Sequence, residues 1–242
     1  MKIAIISDIH ANWEALEVVL NYIKEAKCSS VICCGDVVGY GANPYECLSS
    51  LAKIKNLHIV LGNHDAGVLD KTPIRYFNEV AQEAIIWTKR HLNKEAFAYL
   101  APLRLKERFP PFYICHASPH SPESWEYIFS LEEAKYQFRF FTEPICVIGH
   151  THIPFAVEKS DRNYRLIREE EFLIEDGKRY LINVGSVGQP RDGNPCATFG
   201  IYDQNRKRFK FIKLKYDIKT AAQKILEAGL PRVLAERLFL GR

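Results

Sequence analysis

Lys2-Ile3-Ala4-Ile5-Ile6-Ser7-Asp8-Ile9-His10-Ala11-Asn12 is the stretch on which the fold turns. Residues 2 to 7 have the length of a β-strand and little alternation of apolar with polar residues, the pattern of a strand buried on both faces. Asp8 and His10, two metal-binding residue types, stand at its carboxyl end, where open α/β sheets collect their ligands. With one residue between them at a strand end, both side chains are expected to leave on one side and share a cation. Asn12 then suits the cap of a helix whose apolar residues Leu16, Val19, Leu20 and Ile23 recur at helical spacing.

The same pattern repeats outward. Strand-like runs occupy 31 to 35, 57 to 61, 111 to 115, 145 to 149 and 179 to 184, and a second helix follows Asn43-Pro44, with proline in its first turn. The opening therefore reads βαβαβ. Helices are expected at 78 to 91, 93 to 101 and 131 to 140. Residues 153 to 216 hold alternating strands parted by turns at Asp161-Arg162-Asn163, Asp176-Gly177 and Asp203-Gln204-Asn205. Residues 217 to 239 return to helix, with a break at Gly229-Leu230-Pro231. No repeat or long linker interrupts the 242 residues, so one α/β domain over 1–242 is expected.

Composition excludes several classes. The chain is 47 % apolar and 26 % charged, ordinary for a soluble protein, and no stretch approaches the about 20 apolar residues that cross a bilayer. The first residues read as a strand rather than a leader, which points to the cytoplasm. Seven cysteines without a CxxC pair fit reduced thiols, and Cys115 points away from its neighbour His116 because adjacent strand residues face opposite ways. A formal net charge of +4 is too mild to argue for a nucleic-acid partner. The basic cluster Arg206-Lys207-Arg208, Lys210, Lys213 and Lys215 alternates with apolar residues as a half-exposed strand would.

Five motifs follow strand-like runs: Asp8-Ile9-His10, Gly35-Asp36, Gly62-Asn63-His64-Asp65, His116 and Gly149-His150-Thr151-His152. His150 and His152 repeat the spacing of Asp8 and His10, so two cations are implied. Asp36 is the natural bridge, since a carboxylate can give one lone pair to each of two ions roughly 3.5 to 4 Å apart. Asn63 adds a neutral carbonyl oxygen. With Asp8 and Asp36 as the only anionic ligands, two divalent ions leave the cluster near +2 by this count, a trap for phosphate. Such a pair lowers the pKa of a shared water toward ~7 and generates hydroxide. His64, in a turn sequence, is expected over the substrate, protonating the leaving group or stabilising transition-state charge, with Asp65 orienting it. His58, His91 and His120 are read as ordinary.

Taken in order, these motifs resemble the signature of the calcineurin-like metallophosphoesterase superfamily. The resemblance implies a four-layer α/β/β/α sandwich of two mixed sheets, in an α/β class, with a dinuclear centre. It further implies Asp8, His10, Asp36 and His152 around one metal, Asp36, Asn63, His116 and His150 around the other, and His64 as the catalytic histidine. Asn183-Val184-Gly185-Ser186-Val187-Gly188-Gln189-Pro190-Arg191 is similar to the segment that closes the sandwich in small bacterial and archaeal phosphodiesterases, and reads as a glycine-rich strand and turn under the site.

One departure bears on substrate. Protein Ser/Thr phosphatases and the related symmetrical dinucleoside tetraphosphatases of the superfamily carry a phosphate-clamping arginine shortly after the bridging aspartate, whereas here the stretch is Gly35-Asp36-Val37-Val38-Gly39-Tyr40-Gly41, which sets the chain apart from those branches. Tyr40, Asn43, Asn12 and Arg191 are candidate substrate contacts, with turn formation or helix capping the competing use of Asn43. The expected function is hydrolysis of small phosphoesters, diesters foremost and nucleotides included, by in-line attack of a metal-bridging hydroxide. Mn, Fe, Co, Ni and Zn all suit the ligand set. Protein Ser/Thr or nucleotide phosphatase activity, dinucleoside polyphosphate hydrolysis included, and a non-catalytic metal-dependent binding or scaffold role are the competing readings. Residues 66 to 110 and 117 to 140 are expected to wall the cleft.

Overall fold

In chain order the computed structural model, which describes residues 1–242, runs β1 (Lys2–Ile6), α1 (Trp13–Glu25), β2 (Ser30–Cys33), α2 (Pro44–Ala52), β3 (Leu57–Ile59), α3 (Asn63–Val68), α4 (Glu79–His91), α5 (Lys94–Leu100), β4 (Lys106–Phe109) and β5 (Phe112–Cys115). It continues through α6 (Leu131–Gln137), β6 (Ile145–Ile148), β7 (Phe155–Ser160), β8 (Asn163–Ile167), β9 (Glu171–Leu173), β10 (Arg179–Asn183), β11 (Ala197–Asp203), β12 (Arg208–Leu214), α7 (Ile218–Glu227) and α8 (Arg232–Leu240).

Strand β1 shows how the layers arise. Ile3 and Ile5 face one way and join Ile32, Phe112, Ile114, Ile145 and Val147 in the core between two sheets. Ala4 and Ile6 face the other way and join Leu16 and Val19 of α1. A strand packed on both faces has no solvent side to make polar, hence its unbroken apolar sequence. The partner sheet behaves alike: Ile114 and Val147 point inward, while Tyr113, Cys115, Cys146 and Ile148 meet Ala134 and Phe138 of the α6 region outside.

The two sheets are six-stranded, in the orders β3-β2-β1-β11-β12-β9 and β4-β5-β6-β10-β7-β8. Both are mixed: β1 runs parallel to β2 but antiparallel to β11, and β10 runs parallel to β6 but antiparallel to β7. The four-layer α/β/β/α sandwich is thus the observed architecture. Asn12 caps α1 through its side-chain oxygen, which accepts from Ala15 N–H at 3.1 Å. Asn43 stands at the α2 cap position, but its side chain makes no capping bond.

Three elements depart from expectation. Gly62-Asn63-His64-Asp65 opens the short helix α3 rather than forming a bare turn. β4 is an added edge strand whose Lys-Glu-Arg-Phe sequence carries no apolar run. Helix α6 ends at Gln137, short of residue 140, because Phe138 and Phe141 turn into the outer core. The cysteines are all free, with Cys115 packed beside Cys146 on the face away from His116. No helix is long and apolar enough to cross a membrane.

Candidate metal centre

The motif residues converge where strand ends of both sheets meet, but not by the route that strand geometry suggests. β1 stops at Ile6, and beyond it Asp8, His10 and Ala11 take left-handed φ values of 51°, 49° and 53°. Asp36, His150 and His152 do likewise, at 53°, 68° and 60°. Each such residue costs of order 1–3 kcal/mol and persists only where its surroundings hold it. Here they do: Asp8, His10 and Ala11 N–H donate to the carbonyls of Gly35, Asp36 and Val37 at 3.0, 3.0 and 2.9 Å. The 183–191 segment ties the same turn from below, with Val187 and Gly188 N–H donating to Ser7 and Asp8 carbonyls and Ser186 Oγ–H to Asp8.

Two glycines make room for the carboxylates. A Cβ on Gly62 would lie 2.1 Å from Asp36 Oδ1, and one on Gly149 would lie 2.2 Å from Asp8 Oδ2. The freed space is used for hydrogen bonds: His64 N–H donates to Asp36 Oδ1 at 2.8 Å and His150 N–H to Asp8 Oδ2 at 3.0 Å. Asp36 Oδ2 is left 3.6 Å from His10 Nε2 and 3.3 Å from His116 Nε2. Asp8 Oδ1 is 3.2 Å from His152 Nε2 and 3.8 Å from His10 Nε2.

Backbone carbonyls settle which ring nitrogens face inward. Nδ1–H of His10, His116 and His152 donates to the carbonyls of Val38, Cys34 and Gln189 at 3.2, 2.8 and 2.6 Å. His150 is turned over, its Nε2–H donating to Trp125 O at 2.9 Å. A carbonyl can only accept, so each of these nitrogens carries its proton and the other is turned toward the cluster, the way hydrogen-bonded carbonyls orient metal-bound histidines. His10 Nε2 and His152 Nε2 then lie 3.1 Å apart as two lone pairs, with Asp8 Oδ1 as a third acceptor. Electron pairs gathered without a donor among them suit a cation. Ligand atoms of Asp8, His10 and His152, of Asp36, His116 and His150, and of His10, Asp36 and His64 lie within 4.8 Å of one another in each group. Asn63 Oδ1 is 3.0 Å from His116 Nε2.

The protonation pattern follows from burial and proximity. Burial lowers the pKa of His10 and His152, lowers His64 to about 4 and lowers His150 to about 3. Burial also opposes charge on His116, but Asp36 and Asp8 outweigh it and lift that imidazole to about 10. For Asp8 and Asp36, desolvation is again the largest influence and is overcome, by His152 and by His116 respectively, so both lie below the ordinary carboxylate range. Asp65 is raised to about 7 by burial and by Asp36.

Asp65 does not orient His64. Its carboxylate accepts from Val37, Val38 and Gly62 N–H at 3.0, 3.1 and 3.1 Å, clamping the Asp36 loop to the start of α3. His64 Nδ1 is buried without a hydrogen-bond partner. Its ring lies against Tyr40, 4.3 Å between centroids, and Phe77, at 5.4 Å. Asn12 is committed to structure, its Nδ2–H donating to Gly188 O at 2.8 Å while its oxygen caps α1. Asn43 takes no part in the cleft lining, whereas Tyr40 does. Arg191 sits over the Tyr40 ring, 5.9 Å from its centroid.

A cleft of about 530 Å³ opens beside these residues, lined by Asn63, His64 and His150 together with Tyr76, Phe77 and Trp125. Its walls come from the segments after α3 and after His116, as expected. Tyr127 also lines it and stacks on His150 at 4.0 Å. Tyr127, Trp125 and Gln189 carried no motif in the sequence, because they act through a ring face or a backbone carbonyl. His120 stays outside the cluster, 3.6 Å from Glu126. His58 pairs with Glu107 at 2.6 Å.

The calcineurin-like phosphoesterase superfamily domain matches residues 1–207. The chain belongs to this superfamily. It is 43 % identical, over 99 % of its length and 98 % of the relative's, to the uncharacterized protein MJ0912 of Methanocaldococcus jannaschii. A metallophosphoesterase from Sphaerobacter thermophilus shares its structure with TM-score 0.88 and 36 % identity, covering 100 % of both chains. The hypothetical protein PH1004 of Pyrococcus horikoshii superposes with TM-score 0.83 at 20 % identity, covering 100 % of this chain and 98 % of its own, and shows the fold alone. Membership makes the chain a phosphoester hydrolase by family, and the buried His and Asp cluster supplies candidate ligands for divalent metal.

Proposed function

We propose that the chain hydrolyses phosphodiesters at a centre of two divalent cations. The observation that carries this reading is the set of four imidazoles whose outward nitrogens are each fixed by a backbone carbonyl, turning the other nitrogen of each toward Asp8 and Asp36. Asp8, His10, Asp36 and His152 would hold one cation, and Asp36, Asn63, His116 and His150 the other. Mixed carboxylate, amide and imidazole donors suit Mn, Fe, Co, Ni or Zn. When bound, such a pair neutralises phosphoryl oxygens and acidifies solvent at neutral pH.

The chain's own residues do the rest. Asp36 is fixed by the His64 N–H so that its second oxygen faces imidazoles from both ligand groups. His64 lies in the cleft wall beside this cluster, and burial keeps its ring neutral at physiological pH. A neutral ring still offers one N–H, which can hydrogen-bond the leaving oxygen as charge develops there, worth ~10²–10⁴ in rate. The aromatic walls give the ester's organic group a surface to stack on.

A phosphoester panel with the Mn-, Ni- and Zn-loaded protein tests the reading. Bis-p-nitrophenyl phosphate is expected to give a higher kcat/KM than p-nitrophenyl phosphate or a phosphopeptide. A preference for the monoester overturns the diester assignment, and no hydrolysis with metal bound overturns the enzymatic one.

A further inference from the structure

Residues 217–242 carry none of the motifs, and the superfamily match ends before them at residue 207, yet they pack on the site. Helices α7 and α8 bury Ala222, Ile225, Leu234 and Leu238 in one apolar cluster with Tyr40. The end of α8 is joined to the loop after β10, where Gly193 N–H donates to Gly241 O at 3.0 Å. Arg191 lies just before Gly193 in that loop, and Arg237 lies about one helical turn before Gly241. Arg191 lies over the Tyr40 ring, 5.9 Å from its centroid, and the charges of Arg191 and Tyr40 both act on Arg237.

Neither has an acidic partner. Asp192, next to Arg191, is held by Lys213 at 2.9 Å, and Glu236, next to Arg237, is held by Arg232 at 2.7 Å. Arg191 spends one N–H on Gln189 Oε1 at 2.8 Å. The Nε of each arginine is buried without any acceptor, although buried N–H groups nearly always find one. Burial, then the Arg191 charge, lowers the pKa of Arg237. Two like charges with orphaned donors are tolerable where an anion comes to lie between them.

The charge count indicates which anion. Two divalent cations against Asp8 and Asp36 leave about +2, already more than the single negative charge of a diester phosphate needs. The arginines exceed what the reacting group requires. Arg191 lies over the ring of Tyr40, which lines the cleft, and Arg237 is near enough for the charges of both to act on it, so the two arginines stand on the Tyr40 side of the site.

We propose that Arg191 and Arg237 form a second anion subsite beside the metal centre, binding a phosphate of the substrate other than the one attacked. This rests on the phosphoesterase reading and narrows it to esters carrying at least two phosphate groups. Planar guanidinium forks suit that role because each can grip phosphate oxygens through paired N–H groups.

Calorimetric titration of the Mn-loaded, desalted full chain with pyrophosphate and with inorganic phosphate tests the subsite. The wild type is expected to bind pyrophosphate at least ~10-fold more tightly than phosphate, and Arg237→Gln to weaken pyrophosphate by ~10-fold or more while moving phosphate less than about threefold. Arg237→Lys should fall between them. Equal losses on both anions, or unchanged pyrophosphate binding, overturn the subsite. Should the glutamine variant not fold, a wild-type preference for pyrophosphate near unity, or a lysine variant indistinguishable from wild type, overturns it. Arg237-dependent pyrophosphate binding without hydrolysis of any phosphoester would instead overturn the phosphoesterase reading and leave the subsite standing.

Discussion

The floor of the site and its walls are built on opposite terms. On the floor, Asp8, His10, Asp36, Asn63, His116, His150 and His152 are all buried, and most sit in strained left-handed backbone whose amides and carbonyls grip neighbouring side chains. The walls hold Tyr76 and Tyr127, 71 % and 47 % exposed, fixed by little beyond ring contacts. A floor residue therefore has one usable position, and a wall residue can change without disturbing its neighbours. On the function proposed above, chemistry belongs to the first and choice of substrate to the second.

That division can be broken at several strengths. Asp36→Asn should abolish metal binding and hydrolysis together, because a carboxylate facing imidazoles of both ligand groups loses its charge. Metal analysis of the purified variant checks it, and full metal content would show that the floor tolerates change after all. His64→Gln should retain metal yet lower kcat by ~10²–10⁴, measured on bis-p-nitrophenyl phosphate. Turnover at the wild-type rate would move His64 from chemistry to structure.

Acid sharpens the contrast, since the buried imidazoles belong to the floor and to His64 beside it. In the metal-free protein the unfolded chain binds protons below pH 6.5 that folded His64 and His150 refuse until about 4 and about 3. Stability should fall as pH drops through that window, by roughly 3 kcal/mol from His64 alone. His10 and His152, also lowered, add to the fall. Asp65, raised to about 7, works the other way over the same range, one carboxyl against four imidazoles. His116, raised to about 10, contributes fully below 6.5 and loses that contribution progressively as pH rises from there to about 10. Urea midpoints at pH 7 and pH 4.5 measure the net effect, and equal midpoints would contradict the burial of neutral imidazoles. Smallest of all, Tyr127→Ala should raise KM about two- to tenfold, the worth of one aromatic stack, with kcat little changed. A kcat collapse would make Tyr127 part of the floor through its stack on His150.

How much of this was legible in the chain depends on what kind of group is concerned. Apolar runs such as Ile3 to Ile6 announce buried strands because both faces meet other layers, and the runs later paired in both sheets are visible by the same rule. β4 escaped because an edge strand needs no apolar face. The motif residues stand out because few other chemistries require His and Asp together at strand ends. The expectation for Asp65 missed its role, since a carboxylate that accepts backbone N–H groups looks in sequence like one that orients a neighbour.

The sequence by itself determined the strand and helix order, the α/β class and which polar residues are candidate ligands, because periodicity and residue type are local properties. Only the tertiary structure decided which nitrogen of each histidine turns inward, that Asn12 is spent on Gly188, and that Arg237 comes to stand by Arg191 and Tyr40. Those outcomes rest on carbonyls, backbone turns and helix packing contributed by distant parts of the chain, and no spacing along the sequence encodes a distance between residues brought together only when the layers close.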